Sequence, residues 1–159
     1  MRNSARDFAH AMARRIDPVR KSVKDVYADL VAGYRDAGHA GPAEALKYLE
    51  RTLVGQESMP NAVRCFAYDF IAASAAELKR WERCAEAVVA GLERVPAAEV
   101  DLPAELRAAL PTMALWDRGV AARMELGDFA GALALCDDAI ARGLGAHFEA
   151  KRDSLSWAR

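Results

Sequence analysis

Apolar residues recur along this chain at intervals of three and four, the spacing that lays them on one face of a helix. Val19, Val23, Val26, Tyr27, Leu30, Val31 and Tyr34 form one such stripe. Asp17 and Pro18 supply its N-cap and first helical position, and Gly38 its end. Ser4 and Asp7 form a capping-box-like start for a shorter helix upstream, with Phe8, Met12 and Ile16 as its apolar face. Gly41 and Pro42 open a helix carrying Ala45, Leu46, Leu49 and Leu53 that stops at Gly55. The run Ser58, Met59, Pro60, Asn61 restarts a helix to about Leu78, and after Lys79 and Arg80 another extends from Trp81 to Val95, where Pro96 ends it. Residues 96–111 are the least regular stretch, acidic through Glu99, Asp101 and Glu105, with Pro103 starting one short helix; they read as a mobile loop. A helix then spans Thr112 to Leu126, Gly127 breaks it, Asp128 caps the next as far as about Arg142, and a last helix follows Gly145 toward Trp157.

Composition agrees with an all-α fold. Valine, isoleucine and threonine number only 16 of 159 residues, too few for the β-branched enrichment of a sheet, while alanine, the best helix former, is abundant. A chain of this length builds one hydrophobic core without staples. With 22 basic and 23 acidic residues the net charge is -1, so no bulk field draws the protein to nucleic acid or to an anionic membrane. No apolar run approaches the roughly 20 residues of a membrane span, and the N-terminus lacks a secretory pattern, so a soluble protein is expected. Cys65, Cys84 and Cys136 are odd in number and form no CxxC pair, as in a reduced, cytoplasmic chain. Arginine outnumbers lysine 17 to 5, a bias that suggests a GC-rich bacterial genome.

The chain also repeats itself. The segment LWDRGVAARMELGDFAGALALCDDAIARGL, residues 115–144, resembles a tetratricopeptide repeat. Trp116 opens its first helix, Gly127, Asp128 and Phe129 make the turn, Ala132 is the small contact of the second helix, and Ala139 with Ile140 closes the pair. Gly119, Val120 and Arg123 depart from the family pattern, and no proline follows. The same frame falls on the segment from Tyr68 to Leu92, with Ile71, Ala72, Trp81 at the turn, Cys84 and Gly91; a third copy places Ala45, Tyr48, Thr52 and Leu53 in its second helix. The resemblance implies antiparallel hairpins at 27–55, 61–95 and 112–144, stacked as a short right-handed superhelix, with a basic helical segment at 1–24 and a capping helix at 145–159. A closed helical bundle would show the same periodicity.

Candidate chemistry is sparse. His10, His39 and His147 lie in separate segments and fit no metal-binding spacing, so neither a metal nor a cofactor is expected. No GxSxG, Walker A loop or dinucleotide fingerprint occurs, and no catalytic residue can be named. The cysteines sit at helical spacing among small apolar residues, as buried thiols do. Asp137 and Asp138 are neighbours on a helix, about 100° apart, and read as a solvated face. Trp81 and Trp116 fall where the repeat needs bulk; Trp157 is open to either a packing or a stacking role. Residues 1–24 carry seven basic and two acidic side chains, either an arm for an acidic partner or a solvated face, and they could also meet the acidic 96–105 stretch of another copy.

Proteins of the tetratricopeptide family use the concave surface of stacked first helices to hold a segment of another protein, so the resemblance implies a protein–protein interaction module or adaptor. By that placement Tyr34, Arg35, Tyr68, Ile71, Trp116 and Arg123 line the partner-binding groove. The partner class is another protein or peptide, with homo-oligomerisation open and nucleic acid and membrane disfavoured. The competing readings are a small-molecule-sensing regulatory subunit and an enzyme whose site lies between helices.

Overall fold

The computed structural model describes residues 21–55 and 58–157. They fold into helices joined by short turns, with no strand among the described residues. In chain order these are α1 (Val23–Gly38), α2 (Pro42–Gly55), α3 (Asn61–Glu77), α4 (Trp81–Leu92), α5 (Val95–Asp101), α6 (Ala104–Arg107), a 3-10 turn at Leu110–Thr112, α7 (Leu115–Glu125), α8 (Phe129–Ala141) and α9 (His147–Trp157). The helix expected before Asp17, with Phe8, Met12 and Ile16, lies outside the described residues, as does the start expected at Asp17 and Pro18. Ser22 is extended and caps α1, its Oγ accepting from the Asp25 N–H at 3.1 Å.

Packing follows chain order. α1 packs on α2 and α3, α2 on α3, α3 on α4, α4 on α7, α7 on α8 and α8 on α9, while α3 also touches α5 and α7. α3 is the hub. Eleven of its 17 residues are buried, which explains why its sequence is apolar nearly all round rather than amphipathic. The small residues Ala45, Cys84 and Ala132 are all buried. At Cys84 a neighbouring helix comes close, the thiol donating to the Arg118 carbonyl across the α4–α7 contact at 3.7 Å.

The turns of the second and third hairpins share one construction. After α3, Lys79 is left-handed at φ 55 and Arg80 N–H returns to the Ala75 carbonyl at 2.8 Å; after α7, Gly127 has φ 76 and Asp128 N–H returns to Arg123 at 2.8 Å. Arg80 and Asp128 then adopt φ/ψ of -87/73 and -87/71, and Trp81 and Phe129 begin the next helices. The turn between α1 and α2 is different, built on Gly41 at φ 112.

Two expectations are corrected between α4 and α7. Pro96 does not end a helix; it sits in the first turn of α5, where its missing N–H costs nothing. The 96–111 stretch is not a free loop. Val95, Ala98, Leu102, Leu106, Leu110 and Met113 are core residues, and Lys24 at the start of α1 lies 3.9 Å from Glu105 of α6. Its apolar residues escaped the periodicity because they are shared among three short turns of helix, each below the length at which a stripe can be read. Pro103 does precede α6, as the sequence predicts.

Candidate functional site

The six residues expected to line one groove occupy five different environments. Tyr34 on α1 is half-buried and stacked face to face on Phe70 of α3, ring centroids 4.5 Å apart, with the Ser74 hydroxyl donating to its oxygen at 3.5 Å. Arg35 beside it is exposed. Tyr68 points toward α4, under the Arg94 guanidinium at 4.8 Å from its ring centre. Ile71 and Trp116 are corrected from groove to core, since neither leaves more than 2% of its surface exposed. The physical reason is the density of packing around α3 and α7: Ile71 faces the hub's interior, and α8 covers Trp116. Arg123 is half-buried and held at 2.7 Å by Asp128, the residue that also caps α8 through the Gly131 N–H. The Gly131 N–H and then Arg123 keep the Asp128 carboxyl below its ordinary range. Among the described residues none of the six hydrogen-bonds, ion-pairs or stacks with another of them.

Among the described residues, the Tyr34–Phe70 stack forms a half-buried aromatic ledge on the α1–α3 seam, with Arg35 exposed beside Tyr34 in sequence. It combines an aromatic surface with an unpinned cation, the residue types that anchor protein interfaces. Phe70 was not foreseen. It interrupts the Tyr68–Ile71 frame, and only its stacking on Tyr34, 36 residues earlier, reveals it.

A second place of converging polar groups lies where α5, α7 and α8 meet. Trp116 Nε1 donates to Asp138 Oδ2 at 2.7 Å, Arg142 donates to Asp138 at 3.0 Å and to Glu99 at 3.2 Å, and its guanidinium lies 5.5 Å from the centre of the Trp116 ring. These groups edge a crevice of about 230 Å³ walled by Val95, Leu110, Pro111 and Leu144. Asp138 is therefore a tethering group, not a free surface carboxylate, while its neighbour Asp137 is exposed. The i,i+4 spacing of Asp138 and Arg142 is a local signal for their pair, but nothing in the sequence brings Glu99 and Trp116 to it, because the 95–114 stretch must first fold back.

Buried titratable groups serve the scaffold. Asp69 on α3 is buried, and burial pushes its carboxyl up to about 6 even though the Ala114 and Leu115 amides and Arg118 favour its charge. One of its oxygens, Oδ1, has no hydrogen-bond partner. Burial likewise raises the thiols of Cys65 to about 12 and Cys84 to about 11, and that of Cys136 upward, so all three are protonated at neutral pH and poor nucleophiles. Asp117 of α7 accepts from Lys151 at 2.8 Å and His147 at 3.0 Å, which fastens α9 to the third hairpin. Among the described residues no group of His, Cys, Asp and Glu has the proximity to hold a metal ion, and no helix is long and apolar enough to cross a membrane.

Compared with known proteins, the chain matches no family model, no curated protein and no solved structure.

Proposed function

We propose that this chain is a non-catalytic, tetratricopeptide-like interaction module that holds a segment of another protein. The observation that supports this reading is the repeated hairpin turn: Lys79 and Gly127 are both left-handed, Arg80 and Asp128 have matching dihedrals, and the return hydrogen bond is the same, as in copies of one unit. Hairpins of one unit packed in chain order are what an open stack requires, and in such a stack the seam between successive first helices is available to a partner. Tyr34, Phe70 and Arg35 form the contact surface on that seam.

Co-purification of the chain from an extract of its own cells, with identification of what accompanies it, tests the class of ligand. A protein is expected. Arg35→Ala then lowers that partner's affinity about tenfold or more while the melting temperature hardly moves, because Arg35 is exposed. A retained metabolite in place of a protein overturns the reading in favour of a sensor or enzyme. A partner indifferent to Arg35 and Arg123, yet released when Arg14, Arg15, Arg20 and Lys21 are neutralised, moves the site to the N-terminal segment.

A further inference from the structure

The far end of the fold carries an apolar surface that the α1–α3 ledge does not use. Met124, Leu126 and Phe129, around the α7–α8 turn, are each more than 40% exposed, and Trp157 at the end of α9 is 89% exposed. Between them Met124, Phe129, Ala150, Lys151, Ser154 and Leu155 line a cavity of about 320 Å³. Its polar members offer little to a polar ligand. Ser154 Oγ is turned onto the Ala150 carbonyl at 3.0 Å, and the Lys151 ammonium is drawn to Asp117 at 2.8 Å.

Ala150, Ser154 and Trp157 follow one another at i, i+4 and i+7, so they share one stripe of α9. The cavity and the bare indole are thus two parts of one surface on the same helix, one a recess lined by the buried Leu155 and rimmed by the exposed small residues Ala150 and Ser154, the other a large aromatic projection. A surface that holds both a recess and the group that fills it is self-complementary under a two-fold axis, the geometry of an isologous dimer. We infer that two copies of this chain associate through their α9 helices, each placing Trp157 in the Met124–Phe129–Ser154 recess of the other.

The size of the contact sets its strength. An aromatic side chain buries roughly 150–250 Å², so two indoles and the recess walls they cover give on the order of 1,000 Å² in total. That is the small end of specific interfaces, where association is weak and exchanging. The small residues Ala150 and Ser154 let the two helices cross closely.

The test uses the full chain labelled with 5-fluorotryptophan. Sedimentation equilibrium between about 5 µM and about 1 mM should show the mass climbing from monomer toward dimer, with the fluorine resonance of Trp157, assigned by its loss in Trp157→Phe, shifting over the same range while those of Trp81 and Trp116 stay put. Trp157→Ala and Phe129→Glu, both at exposed positions, should each weaken the dimer at least tenfold with helix content unchanged. A chain that stays monomeric to 1 mM, or a dimer indifferent to both substitutions, overturns the proposal. So does a Trp157 resonance that ignores concentration but moves in Phe8→Ser/Met12→Ser, which would put the chain's own N-terminal segment on the patch.

Discussion

Trp116 and Asp138 are joined by a 2.7 Å hydrogen bond from indole to carboxylate across the α7–α8 packing, in a position where the ring itself is almost fully buried. The bond satisfies the one polar atom of a large core side chain, and Arg142 then neutralises the carboxylate from its outer side.

Trp116→Ala should therefore cost about 3–5 kcal/mol, and Trp116→Phe less, since it keeps most of the bulk and leaves Asp138 its pairing with Arg142. Urea denaturation checks both. A loss below about 1 kcal/mol for the alanine variant would show the ring to be dispensable to the core.

Gly119 is the closest approach of three helices. A Cβ there would stand 2.8 Å from Val88 Cγ1 and 2.8 Å from Leu135 Cδ1, and neither branched side chain can yield freely. Gly119→Ala should destabilise by about 1–3 kcal/mol despite alanine's better helix propensity. Ala132→Leu and Cys84→Leu should fall in the same range, because each overfills a helix crossing.

Lys79 performs with a side chain what Gly127 performs without one. Its φ of 55 carries the usual left-handed penalty for an L residue. Lys79→Gly should raise stability by about 0.5–1 kcal/mol in thermal or urea unfolding, and Gly127→Lys should lower it by a similar amount.

Asp69 makes the fold's pH response unusual. Its folded carboxyl titrates near 6, above the 3.8 of the unfolded chain, so the folded state binds a proton that the unfolded state releases. Its contribution to stability is complete below pH 3.8 and is lost as pH rises through 6, by about 3 kcal/mol in all. Asp117 and Asp128 act in the opposite sense. Their carboxyls are lowered by their partners, so their contributions hold above pH 3.8 and fade as pH falls. The difference in unfolding free energy between Asp69→Asn and the parent isolates the buried group. It should grow in favour of the variant between pH 4 and 7, and a flat difference would mean that the carboxylate is solvated.

Cys65 and Cys84 should resist iodoacetamide in the native protein and react at once when it is unfolded. Modification of native Cys84 at the rate of free cysteine would remove it from the α4–α7 contact.

Helix boundaries were legible where a stop residue stands at the end of a long stripe. Pro42, Gly55, Asn61, Trp81 and Asp128 all mark ends within a residue or two of those observed. The start of α1 was not, because the Val19–Tyr34 stripe runs straight through Ser22, and only the cap bond to Asp25 shows where the helix begins. Ile71 and Trp116 were read as groove residues because a repeat frame assigns position, not depth. α3 touches α1, α2, α4, α5 and α7, so positions that a simple stack would leave at its surface are sealed. The roles of Phe70, Asp138 and Arg142 are not legible because Tyr34, Trp116 and Glu99, which they meet, are 22 to 43 residues away and no local spacing encodes such pairs.

The 95–114 stretch bears on how the molecule comes apart. A plain stack of hairpins can shed its end units one at a time, since each is held by its neighbour alone. Here residues that lie between the second and third hairpins pack α5 against α3, bury Leu102, Leu106 and Leu110 in the common core, and reach the first turn of α1 through Glu105 and Lys24. Because α3 also packs on α1, α2 and α7, fraying of the first hairpin uncovers the same core that joins the second hairpin to the third. That linkage turns a row of separable modules into one cooperative unit, which melts in a single transition instead of peeling from its ends.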